Sequence, residues 1–140
     1  MAQQILLVED NPDDEALALR AMKKNARKVD MIVARDGVEA LDYLLDQNRS
    51  GAELPTLVLL DINLPRLNGL EVLKRLRDNI RTQYMPVVML SSSNEDKDID
   101  QSYEYGCNSY VRKPVDFRTF SDMIAEVEHY WLNLNEAPNA

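Results

Sequence analysis

The side chains able to do chemistry fall at the ends of short apolar runs. Glu9 and Asp10 directly follow Ile5–Val8, Asp61 follows Leu57–Leu60, Ser91 follows Val87–Leu90, and Lys113 closes a shorter run around Tyr110 and Val111. Three carboxylates brought together repel and raise one another's proton affinity unless a cation neutralises them. An all-oxygen set selects a hard ion. Mg2+, with Mn2+ as a substitute, fits because it keeps several waters and takes one or two carboxylates plus phosphate. Asp10 and Asp61 then read as inner ligands and Glu9 as a ligand through water, with the backbone carbonyl of Asn63 just beyond the strand end. Lys113 can neutralise an added phosphoryl oxygen, or pair with Asp61 before one arrives, and Ser91 offers a hydroxyl donor to a second oxygen. Asp61 becomes the nucleophile, because a phosphorylated carboxylate is a reactive acyl phosphate.

Each residue also has an ordinary explanation. Acidic groups end strands in many α/β proteins, Asp61 could cap a turn, Ser91 could be one of the polar loop residues Ser91–Ser93, Lys113 a surface charge and Tyr110 sheet filler. The discriminating fact is that all of the chemical candidates sit at the carboxyl end of a strand. No glycine-rich loop of the nucleotide-binding kind competes with them. His129 reads as a solvated helix residue, and Cys107, beside Gly106, as a small structural one.

Those candidates need a scaffold. The runs Ile5–Val8, Met31–Ala34, Leu57–Leu60 and Val87–Leu90 are short and continuous, as in strands buried on both faces, and Tyr110–Val111 makes a fifth. Helical patterns near 12–27, 37–47, 67–79, 95–105 and 116–135 alternate with them. The fold class expected is α/β: an open, doubly wound, five-stranded parallel sheet with five helices. Asn11 caps the first helix, with Pro12 in its first turn and Asp13 and Asp14 at the positive end of its dipole. Ala40, Leu41 and Leu44 mark one face of the second helix, and Leu70, Leu73 and Leu76 one face of the third. The fourth carries Glu95, Asp96, Lys97, Asp98 and Asp100 with few apolar bodies, so burial anchors it weakly. Phe117, Phe120, Ile124, Val127, Trp131 and Leu134 predict a long stripe on the last helix. The polar loop Asp46–Pro55 reads as a passive connection at the opposite edge.

The 140 residues suit one domain spanning 1–140, with a core at about 5–130, a short C-terminal helical extension and no output domain. A charge of −8, from 24 acidic and 16 basic side chains, disfavours direct nucleic-acid binding. One cysteine excludes a disulfide framework, and no apolar run reaches membrane-spanning length, so a cytoplasmic protein without membrane insertion is expected.

The set Val8-Glu9-Asp10-Asn11, Leu60-Asp61-Ile62-Asn63-Leu64-Pro65 with Gly69, Ser91, and Lys113-Pro114 resembles the receiver domains of two-component response regulators, over about 125 residues. The resemblance implies the flavodoxin-like receiver fold, a Mg2+ requirement, and phosphoryl transfer to Asp61 from a histidine kinase. It also implies that Ser91 moves toward the phosphoryl group while Tyr110 changes rotamer as a switch residue. The Lys113–Pro114 bond is cis in many relatives. Asp42-Tyr43-Leu44, Asp98-Ile99, Ser102-Tyr103, Asn108-Ser109-Tyr110, Lys113-Pro114-Val115-Asp116-Phe117 and Tyr130-Trp131-Leu132 are similar to the stand-alone response regulators associated with cyanobacterial and other bacterial phytochromes. A phytochrome kinase is the partner this implies.

The function expected is therefore phosphoacceptor signalling through protein contacts or phosphorelay, not an enzyme acting on other molecules. One alternative is a Mg2+-dependent aspartyl-phosphate phosphohydrolase, but Asn63 stands where that chemistry wants an acid/base Asp. The other is a pseudo-receiver scaffold, disfavoured by the intact acidic set and Lys113. Asn63 and Ser93 flank the path of attacking water, so moderate self-dephosphorylation is expected. A homodimer face is expected around Tyr110, Tyr130, Trp131 and Leu134, rimmed by Glu128, Asn133 and Glu136.

Overall fold

The computed structural model describes residues 3–24, 29–45, 54–114 and 116–138. Its strands are β1 (Gln3–Val8), β2 (Val29–Ala34), β3 (Leu57–Leu60), β4 (Val87–Ser91) and β5 (Ser109–Arg112). The helices between and after them are α1 (Pro12–Lys24), α2 (Gly37–Leu45), α3 (Gly69–Arg77), α4 (Asp96–Glu104) and α5 (Phe117–His129). All pairings are parallel, in the order β2-β1-β3-β4-β5. The chain order reverses between β1 and β3, which opens a crevice at their carboxyl ends. The ends predicted for the first two helices, 25–27 and 46–47, and most of the loop Asp46–Pro55 lie outside the described residues. No helix among the described residues is long and apolar enough to cross a membrane.

Strand pleating explains why the apolar runs are continuous and not alternating. Leu6, Val8, Val58, Leu60, Val87 and Met89 pack on one side of the sheet with α2 and α3, around Leu44, Val72, Leu73 and Leu76. Ile5, Leu7, Leu57, Leu59, Val88 and Leu90 pack on the other with α1 and α5, around Ala18, Ala21, Phe120 and Ile124. Truncating one of these buried leucines to alanine would cost about 2–5 kcal/mol. The amino ends of β4 and β5 are tied by Arg77. Its guanidinium donates to the carbonyls of Gly106 (2.8 Å) and Met85 (2.8 Å) and to Asn108 Oδ1 (2.9 Å).

The last helix departs from expectation. Its fully buried line advances by four residues, through Phe120, Ile124, Glu128 and Leu132; Val127 and Trp131 pack partly buried beside it as expected, and Leu134 does not. From Tyr130 to Leu134 the helix widens into a π-helical turn, in which the Asn135 N–H donates to the Tyr130 carbonyl at 2.8 Å. The wider turn rotates later side chains away from a 3.6-residue repeat, so Leu134 is 59% exposed. Glu128, expected on a polar rim, is only 2% exposed. Tyr130 is exposed, and Trp131 is half-buried against the α1/α5 side of the core, whereas Tyr110 packs on the α2/α3 side. The residues proposed for a dimer face therefore do not share one core-facing stripe.

Candidate functional site

The reversal of strand order places Val8 and Leu60 side by side, so the residues that follow them meet. Carboxylate oxygens of Glu9, Asp10 and Asp61 lie within 4.8 Å of one another, with Asp10 exposed and the other two buried. Backbone bonds fix this corner. The Glu9 N–H donates to the Ala34 carbonyl (3.0 Å) and the Asp61 N–H to the Val8 carbonyl (3.1 Å). Asn11 caps α1 as expected, its Oδ1 accepting from the N–H groups of Asp13 (2.9 Å) and Asp14 (3.1 Å).

The segment after β3 is held as tightly. The Gly69 N–H donates to the Ile62 carbonyl at 2.8 Å, and a Cβ added at Gly69 would lie 2.0 Å from the Asp61 backbone oxygen. Only glycine lets α3 start this close to the site. Arg66 takes a positive φ of 66° in the same loop and pairs with Asp36 at 3.1 Å. Asn63 is exposed, and its N–H donates to Asp61 Oδ1 at 3.3 Å.

Lys113 reaches over from the end of β5. Its Nζ donates to Glu9 Oε1 at 2.5 Å, Asp14 Oδ2 at 3.0 Å and Asp61 Oδ2 at 3.2 Å. Burial works against its charge, but the Glu9 hydrogen bond and the negative fields of Asp61 and Glu9 outweigh that and hold the ammonium above the ordinary lysine range. Burial pushes the Glu9 carboxyl up to about 7, even though the Lys113 hydrogen bond opposes the rise; the Asp61 charge adds to it. A carboxylate set with two buried members, one exposed member and one lysine to balance it has the chemistry of a divalent-cation site, and the residues fit Mg2+ or Mn2+.

Ser91 is fully buried at the end of β4, and its Oγ accepts from the Ser93 N–H at 3.1 Å. Ser93 joins three elements. Its carbonyl accepts from Tyr110 Oη (2.9 Å), and its hydroxyl donates to Asp98 Oδ2 on α4 (2.6 Å). Ser102 is the buried residue of α4, in keeping with the weak anchoring expected of that helix. Among the described residues no peptide bond is cis, so Lys113–Pro114 is trans here. Cys107 is buried, and burial first of all pushes its thiol up to about 11. His129 is exposed, with Nδ1 3.2 Å from the Asn133 amide.

Two contacts were not foreseen. Asp14 read only as a helix-dipole residue, although the first turn of α1 must pass the end of β1 and so could reach whatever lies over it. The Ser93–Asp98 bond had a fainter trace, a serine and an acid five residues apart across a helix start.

Comparison with known proteins agrees with this geometry. Residues 5–125 match the response regulator receiver domain family. The chain is 39% identical over 134 residues to the probable methanogenesis regulatory protein FilR2 of Methanothrix harundinacea, covering 96% of this chain and 86% of that one. The crystal structure of the phosphorylated cyanobacterial phytochrome response regulator RcpA superposes with a TM-score of 0.92 at 33% identity, covering 99% of this chain and all (100%) of that one. The Mn(2+)-bound form of response regulator Rcp1 gives 0.88 at 33% identity, covering 98% and 99%. Receivers are signalling modules that promote their own phosphorylation and dephosphorylation, and the acidic corner has the composition typical of their phosphoaspartate site. A parallel sheet in the order 2-1-3-4-5, an acidic cluster at its switch point and a family match across most of the length lead to one conclusion: the chain belongs to the receiver domains of two-component response regulators.

Proposed function

We propose that Asp61 accepts a phosphoryl group from the phosphohistidine of a histidine kinase, in a Mg2+-dependent reaction, and that the resulting state is passed on through protein contacts or phosphorelay. The observation that carries this reading is Lys113 Nζ held among Glu9, Asp14 and Asp61 beside the acidic cluster. When bound, Mg2+ would be held by Asp10, Asp61 and Glu9 with the Asn63 carbonyl, and would neutralise charge on the phosphoryl oxygens. An Asp61 carboxylate oxygen attacks phosphorus, the bond to the kinase imidazole breaks, and the histidine leaves with its electron pair. Lys113 and the Ser91 hydroxyl donate to phosphoryl oxygens in the transfer state, each turning from its resting partner to do so.

The link from site to surface runs through Ser93. When the Ser91 hydroxyl turns to the phosphoryl group, the Ser93 N–H loses its acceptor, and Ser93 also holds Tyr110 and Asp98. Tyr110 and the weakly anchored α4 are then free to shift, which makes them the switch. Exposed Tyr130 and Leu134, with half-buried Trp131, remain the candidate surface for a phosphorylation-strengthened homodimer.

Similarity to RcpA supports a phytochrome histidine kinase as the donor. Phosphotransfer from each purified histidine kinase of the host tests both levels of the proposal. Rapid transfer from a phytochrome kinase supports the whole pathway. Preference for another kinase removes the light-signalling assignment alone, and transfer from none removes the phosphoacceptor role.

A further inference from the structure

We propose that Asp14 is the positioning residue for Lys113: it holds the ammonium in the unphosphorylated protein and is the partner Lys113 gives up to reach a phosphoryl oxygen on Asp61. This rests on the phosphoacceptor reading of Asp61 above.

An ammonium has three N–H donors, and those of Lys113 face three carboxylates. A phosphoryl oxygen can be served only if one of the three is released. Glu9 is held most closely, at 2.5 Å, and its side chain is 3% exposed, so water cannot take the place of the ammonium there. Asp61 carries the incoming group and so remains a neighbour in either state. Asp14 differs from both. Its side chain is 33% exposed, so water can replace the ammonium. It lies in the first turn of α1, where the positive end of the helix dipole favours its charge without Lys113. It also lies outside the Glu9–Asp10–Asp61 cluster, so a cation held there does not claim its charge.

The backbone makes Asp14 a fixed anchor and not a drifting surface charge. Asn11 Oδ1 accepts from its N–H at 3.1 Å, and Pro12 opens the turn. Asp14 therefore sets where the ammonium waits and competes with the phosphoryl group for it.

Beryllofluoride, a phosphoryl analogue, titrated with Mg2+ into the full chain tests this on wild type, Asp14→Asn, Lys113→Ala and the double variant. Asp14→Asn should bind about three- to tenfold more tightly than wild type, the gain expected from removing one competing charge at a partly exposed site. In the Lys113→Ala background the same substitution should change affinity by less than about twofold, because its effect passes through the lysine. Unchanged or weaker binding by Asp14→Asn overturns the proposal, as does equal tightening in both backgrounds. A purely structural role for Asp14 predicts weakening in both. Should Lys113→Ala not fold, the Asp14→Asn comparison decides alone. Wild type that binds no beryllofluoride would instead remove the phosphoacceptor reading, and this inference with it.

Discussion

Metal binding should depend on pH through Glu9. A cation ligand must be deprotonated, and burial pushes the Glu9 carboxyl up from 4.5 to about 7 in the metal-free protein. The folded protein therefore keeps a proton that the unfolded chain has already lost, so metal-free stability falls as pH rises from 4.5 through about 7. Metal binding reverses this by displacing the proton. If the competent form is the deprotonated one, the apparent dissociation constant at pH 6 is weakened about elevenfold and at pH 8 only about 1.1-fold, a difference of about tenfold. A carboxyl at its ordinary value would give an almost flat profile over the same range. Isothermal titration with Mg2+ in buffers of different ionisation enthalpy reads both quantities, and proton release should fall from about 0.9 per metal at pH 6 to about 0.1 at pH 8. Glu9→Gln should bind more weakly and lose the pH dependence. Equal affinity at pH 6 and 8 with no proton release from wild type would refute the reasoning.

Further outcomes follow from the same geometry. Lys113→Ala leaves Glu9 without its closest counter-charge, so chemical denaturation in EDTA should show a loss of about 3 kcal/mol, partly restored by Mg2+. Gly69→Ala forces a Cβ toward the Asp61 backbone oxygen, and a urea titration should show destabilisation of about 1–3 kcal/mol together with slower phosphorylation. Asp98→Ala removes the tie from α4 to Ser93, so hydrogen exchange should quicken in α4 while β1 and β3 keep wild-type protection.

Much of this was readable in advance because the strongest signals were local. Runs such as Leu57–Leu60 carry apolar side chains on both faces of the pleat, which marks a sheet covered on both sides, and the residue after each run must then lie on the carboxyl edge. Glu9, Asp10, Asp61, Ser91 and Lys113 fall on that edge by this logic alone. It did not place Leu132 in the interior, because a fixed helical repeat was carried through a π-helical turn that no residue type announces, nor Glu128, which precedes that turn and whose charge reads as a polar rim. Nor did it show Arg77 clasping the carbonyls of Met85 and Gly106, since bonds to backbone oxygens leave no pattern in the partner's sequence. The Lys113–Asp14 contact was hidden for a related reason: it joins residues 99 positions apart through side-chain length alone.

The central claim is that Asp61 is the phosphoacceptor. Incubating wild type and Asp61→Asn with Mg2+ and a small phosphodonor, followed by intact mass spectrometry and peptide mapping under acyl-phosphate-preserving conditions, tests it most directly. Wild type should gain one phosphoryl group mapped to Asp61, and the variant, with native circular dichroism, should gain none. Equal labelling of both proteins, or a label mapped to any other residue, would contradict the account.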